Sequence, residues 1–138
     1  MYNRILLRTR WADTVKAAGY ATGAFGKWHN GANHPSTARG QGFDEFFGFN
    51  GGYFSNYFDP ELEHDGVTAV RTGFITDVLA DAAMRFMEKH RSQPFFCYVP
   101  FNACHSPMQA PAAGKPDGSR PSHKSGLVGP TADPEEPQ

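Results

Sequence analysis

Ala18-Gly19-Tyr20-Ala21-Thr22-Gly23-Ala24-Phe25-Gly26-Lys27-Trp28-His29 is the stretch that decides the fold. Just upstream, residues 9–18 place Trp11, Val15 and Ala18 at helical spacing, and Gly19 stands where a left-handed residue ends a helix. Residues 20–25 set Tyr, Thr and Phe among small residues, which predicts a short strand. Gly26 then opens a loop through Lys27, Trp28 and His29.

That strand needs a neighbour, and the sequence offers one. In residues 75–90, Ile75, Leu79, Ala82, Ala83, Phe86 and Met87 form one apolar stripe. Asp77, Asp81, Arg85, Glu88 and Lys89 fall mostly off it, as in an amphipathic helix. Thr76 or a residue just before it is placed to cap the start, and Ser92-Gln93-Pro94 stops the helix. Residues 95–99 are continuously apolar, as in a strand covered on both faces. Strand, long excursion with a helix, then strand is the connectivity of a parallel sheet. The predicted class is α/β, a mostly parallel sheet with flanking helices. Residues 31–58 are dense in Gly, Asn and aromatics without a regular period, and predict a long ordered loop pinned by its rings.

Composition sets the outer limits. The chain has 138 residues and a net charge of −1, so no basic field points to nucleic acid or an anionic membrane. No Phe, Tyr or Trp follows Phe101. Residues 1–111 therefore hold the material for a core. Residues 112–138, rich in Pro, Gly, Ser and charge, are expected to be disordered or foreign to the domain. Cys97 reads as a buried small hydrophobe and Cys104 as a free thiol, with a disulfide between them not supported by any framework. The apolar patch Ile5-Leu6-Leu7 is too short for a signal-peptide core or a membrane span, so the chain as written shows no export signal.

Chemistry is expected where strands end. In an extended backbone Lys27 and His29 face one side while Trp28 turns inward. His105 follows the strand at 95–99. If the two strands are parallel, their carboxyl ends share the rim at which open α/β sheets bind ligands. One ammonium and two imidazoles suit an anion with several oxygens, sulfate or phosphate. A bland alternative stands beside this: a lone Lys is usually a solvated charge and a lone His a hydrogen-bonded bystander. His34, His64, His90 and His123 are read that way. Zinc on His29, His34 and His105 is a further option without compact ligand spacing behind it.

The run from Ala18 to His29 resembles the second signature of the sulfatases, an Ala-Gly-Tyr-x-Thr stretch ending in Gly-Lys-Trp-His. Gly42-Phe43-Asp44-Glu45-Phe46-Phe47-Gly48-Phe49 looks like the Gly-Phe-Asp segment that follows it in that family. Pro94-Phe95-Phe96 and Phe101-Asn102-Ala103-Cys104-His105-Ser106-Pro107 are similar to the family's strand and its Asn-Ala-Pro-His-x-Pro turn, and Gln109-Ala110-Pro111 continues the match. Three motifs in order make a specific signal.

The resemblance implies an incomplete alkaline-phosphatase-like sandwich from an arylsulfatase-like sulfuric ester hydrolase. It implies that Lys27 contacts sulfate, that His29 lies beside the catalytic formylglycine and the sulfate, and that His105 binds sulfate near the leaving oxygen. It further implies calcium, a formylglycine made from Cys or Ser, and a sulfate-ester small molecule or sulfated glycan as substrate. Periplasmic, secreted or lysosomal location is usual for such enzymes.

The sequence departs from the family pattern in several places. No Cys-x-Pro-x-Arg motif is present, since Cys97 precedes Tyr-Val-Pro-Phe and Cys104 precedes His-Ser-Pro-Met. The family's calcium-binding Asp pair is expected upstream of residue 1, and its later Asp-Asn pair and lysine beyond about residue 111. Cys104 replaces a proline, and Pro100 stands where a small residue is common, removing a ladder donor. The expected chain is thus a fragment with part of the sulfate site, inactive by itself. The rival readings are a non-catalytic anion-binding or interaction module and a phosphate-ester hydrolase or transferase of the same superfamily.

Overall fold

The computed structural model describes residues 10–52 and 54–111. The expectations for residues 112–138, including His123, and for Ile5-Leu6-Leu7 lie outside the described residues. Two α-helices, α1 (Trp11–Ala17) and α2 (Ile75–Lys89), accompany five strands: β1 (Ala21–Lys27), β2 (Glu45–Phe49), β3 (Glu61–His64), β4 (Val67–Val70) and β5 (Phe95–Tyr98). The spatial order is β4-β3-β2-β1-β5.

β1 lies between β2 and β5 and runs parallel to both, with Ala24 opposite Phe46 on one side and Tyr98 on the other. α2 crosses between them, as the predicted connectivity requires. The sheet as a whole, however, is mixed and not mostly parallel. β3 pairs antiparallel with β2, and β4 antiparallel with β3. The cause is local. Asp65 (φ 49°) and Gly66 (φ 98°) join β3 to β4 as a two-residue turn with both centres left-handed, the geometry that fits the twist of a hairpin.

Two core layers sandwich the sheet. On one face Phe25, Phe47 and Phe49 pack against Ile75, Leu79, Ala82, Ala83 and Phe86 of α2. On the other, Ala24 and Phe46 meet Ala12, Trp28, Ala38 and Phe43. The alternation of Ala24 and Phe25 to opposite faces is the period of a strand.

Several sequence expectations need correcting. β2 stands inside the stretch read as an irregular loop; its Phe-Phe-Gly-Phe run is buried on both faces, so no alternation is visible along it. Trp11 is not part of a buried stripe but is 82% exposed, and Ala12 is the buried residue of α1. α2 starts after Phe74 with no side-chain cap, and the Thr76 hydroxyl is buried without a partner. β5 lies at the sheet's edge with its residues only partly covered, where two covered faces were expected.

Candidate functional site

The carboxyl end of β1 is stitched to both neighbours. The Lys27 amide donates to the Pro100 carbonyl at 2.8 Å, and the Trp28 amide to the Phe49 carbonyl at 2.9 Å. Gly26 makes the first contact possible. Its φ is 137°, and a Cβ there would lie 2.1 Å from the Pro100 oxygen. Because β1, β2 and β5 are parallel neighbours, the loops that leave them emerge on one edge of the sheet.

Trp28 is buried, as expected. Its indole N–H donates to the Ser36 carbonyl at 2.7 Å, and its ring meets Phe43 edge-on at 5.8 Å. The next residue breaks the expected pattern. His29 has φ 45°, a left-handed conformation, so the regular alternation of the strand ends at Trp28 and does not set the side His29 faces. The His29 ring lies instead against Gly52, in the loop after β2. A Cβ at Gly52 would sit 2.9 Å from both Cε1 and Nε2 of the ring. Lys27 is half-buried and His29 exposed.

His105 is exposed, in the loop that leaves β5. Its amide donates to the Asn102 carbonyl at 3.0 Å, and its ring Nδ1 lies 2.7 Å from the Ser106 carbonyl. A carbonyl only accepts, so Nδ1 carries the proton of that bond. Lys27, His29 and His105 therefore stand in the loops of two adjacent strands on a shared edge.

The histidines read as bystanders have local partners. His64 lies 3.5 Å from Glu45 and edge-on to Phe47, while His90 meets Gln93 at 2.8 Å and stacks near Phe86. His34 is exposed. Among the described residues no three His, Cys, Asp or Glu side chains come together as a metal site, so the zinc trio is not assembled and calcium finds no donor set. Cys97 and Cys104 are both free.

The sequence reading missed the residues that hold this edge together. Asn102 is 3% exposed; its side chain accepts from the Phe54 amide and donates to the Phe54 carbonyl, both at 3.0 Å. Gln109 repeats the device, accepting from the Tyr57 amide at 2.9 Å and donating to the Ser55 carbonyl at 3.0 Å. The buried Tyr57 hydroxyl donates to the His105 carbonyl at 2.7 Å. Amide side chains here imitate a strand, pairing with backbone across two loops. For Asn102 the available signal was an amide directly after the aromatic Phe101, since buried amides are almost always fully bonded, whereas Gln109 lies between Met108 and Ala110 and carried none.

Comparison with known proteins identifies the parts. The family model described as Sulfatase matches residues 11–122. An N-acetylglucosamine-6-O-sulfatase from Bacteroides thetaiotaomicron is 33% identical over 86 residues, which cover 62% of this chain and 14% of that protein. An arylsulfatase from Klebsiella aerogenes is 32% identical over 118 residues, 75% of this chain and 25% of that protein. The crystal structure of Ps i-CgsB in complex with k-i-k-neocarrahexaose superposes with a TM-score of 0.68 at 34% identity, covering 72% of this chain and 27% of that one. The chain thus spans about a quarter or less of the length of these relatives.

Proposed function

The chain belongs to the sulfatase family, and from that premise we propose that Lys27, His29 and His105 form part of the sulfate-binding site of a sulfuric ester hydrolase. The observation that carries the reading is the Lys27 amide bonded to the Pro100 carbonyl, because it ties the β1 loop to the β5 loop. The Lys27 ammonium balances the charge of the sulfate oxygens. The imidazoles donate hydrogen bonds to those oxygens, and His105 stands nearest the leaving oxygen. Charge moves onto these oxygens in the transition state, so donors already fixed in place stabilise it more than the ground state. In this family a hydrated formylglycine supplies the nucleophile and calcium holds sulfate oxygens. No Cys-x-Pro-x-Arg motif occurs in these 138 residues, and among the described residues no three His, Cys, Asp or Glu side chains gather to hold a metal. On this reading the 138 residues by themselves bind sulfate without hydrolysing its esters.

The names of the relatives support a substrate class: a sulfate ester on a sugar, as for the N-acetylglucosamine-6-O-sulfatase, or on an aryl group, as for the arylsulfatase. Because the nucleophile motif is missing, a non-catalytic anion-binding module remains the second reading.

Sodium sulfate titrated into chain labelled at His and Lys tests the proposal by NMR, with sodium chloride at equal ionic strength as control. Joint, saturable shifts of Lys27, His29 and His105 are expected. Shifts no larger than those in chloride would end the reading. Turnover of an aryl sulfate by the same chain would refute its inactivity.

A further inference from the structure

The loop after β2 touches both proposed histidines. At its start Gly52 packs against the His29 ring, so close that a Cβ there would have to displace the ring. Further on, Tyr57 holds the His105 carbonyl, while Asn102 and Gln109 clasp the backbone of Phe54, Ser55 and Tyr57. These bonds span 45 or more positions in sequence, so they fix loops that nothing local would hold together. His29 and His105 are each placed against the same third segment.

We propose that Gly52, Tyr57, Asn102 and Gln109 are positioning residues, and that the loop after β2 is the common scaffold that fixes His29 and His105 relative to one another. The inference deepens the sulfate-site reading and rests on it for its functional meaning. The sites differ in tolerance. A side chain at Gly52 would have to push the His29 ring aside, whereas Tyr57 acts through one hydroxyl and Gln109 through one amide. Removing a single such bond weakens anion binding on the order of fivefold if the bond serves to place His105.

The test uses the full chain with sulfate as probe. Tyr57→Phe deletes only the hydroxyl, and Gln109→Met keeps length while removing both polar atoms. Expected is roughly fivefold weaker sulfate binding in each, with the His105 ring signals moved and those of His64 and His90 unchanged. A general loss of structure would move all of them. Gly52→Ala is expected to move the His29 ring signals first. Hydrogen exchange of the Tyr57 amide, which Gln109 accepts from, should speed up in Gln109→Met whether or not sulfate is present. If the unmodified chain binds no sulfate, the site reading falls, and the ring signals and amide exchange still decide the scaffold. Unchanged His105 signals and unchanged Tyr57 exchange in both variants would overturn it.

Discussion

Lys16 and Asp44 form an ion pair that joins the end of α1 to the entrance of β2. Asp44 also accepts from the Thr22 amide at 3.0 Å and from the Thr22 hydroxyl at 2.9 Å, so one carboxylate anchors helix, central strand and neighbouring strand. Desolvation alone would raise its pKa. The hydrogen bonds from Lys16 and Thr22 and the Lys16 charge outweigh that and hold it below the ordinary value. A carboxyl lowered in the folded state stabilises the fold above its unfolded pKa, and that stability fades as pH falls through the folded pKa. The urea midpoint should therefore drop on acidification, and the drop should be shallower in Asp44→Asn. The side chain is 40% exposed, so solvent screening keeps the effect small. Identical acid limbs for the two proteins would contradict the assignment.

Gly26 is a sensitive backbone position at the sheet's edge. Alanine there would place its Cβ 2.1 Å from the Pro100 oxygen and hold φ at 137°, where L side chains are strained. Strain of this kind costs about 1–3 kcal/mol before any clash is counted. Gly26→Ala should lose at least about 2 kcal/mol in urea unfolding and disturb the Lys27 amide signal, whose partner is the Pro100 carbonyl, in NMR spectra. A variant as stable as the parent would show that β1 and β5 separate more easily than their contact suggests.

Phe86 is the largest ring that α2 contributes to the core. It is 2% exposed and lies 5.3 Å from the Phe25 ring and 6.2 Å from Phe95. Truncation to alanine leaves a cavity against β1 and β5 and should cost about 3–5 kcal/mol. Denaturant unfolding checks this, with Met84→Ala, an exposed position on the same helix, as the near-neutral control. Equal effects of the two changes would mean that α2 is not packed on the sheet.

What the sequence disclosed tracks how local the physics is. α2 was legible because its stripe repeats within fifteen residues, and β1 because Gly19 ends the helix before it, although Gly26, read as opening a loop, lies inside the strand. Strand β2 was hidden because both faces are buried, which erases the period that betrays a strand. The β3–β4 hairpin carried its own signal, Asp65-Gly66 between two short strands, and overlooking it produced the expectation of a mostly parallel sheet. At the candidate site, residue types marked Lys27, His29 and His105. The positive φ of His29 and the bonds from Asn102, Tyr57 and Gln109 depend on partners far away in sequence, which no local pattern encodes.

The two thiols should differ in reactivity. Cys97 is half-buried in β5, where desolvation first and the Glu45 charge second raise its pKa, so little thiolate is present at neutral pH. Cys104 is exposed beside His105. Ellman's reagent should modify Cys104 quickly and Cys97 slowly, and Cys104→Ser should remove the fast phase. Two equal rates would mean that β5 opens on the timescale of labelling.

Strand β5 also sets the limits of solubility. It carries Phe95, Phe96, Cys97 and Tyr98 yet ends the sheet among the described residues, which leaves its outer side without a strand partner among them. The opposite edge, β4, is four residues long and exposes Val67 and Val70, which makes it the natural comparison. A lysine on an edge strand discourages pairing between molecules because the charge would have to be buried. Tyr98 is 41% exposed and stacks on Phe43 at 6.2 Å, so Tyr98→Lys gives up some packing on its own molecule. Light scattering over a concentration series should nevertheless show less aggregate for Tyr98→Lys than for the unaltered chain, and little change for Val67→Lys. The reverse order would place the sticky edge at the hairpin, and the apolar strand beside β1 would then be shielded by something other than its own side chains.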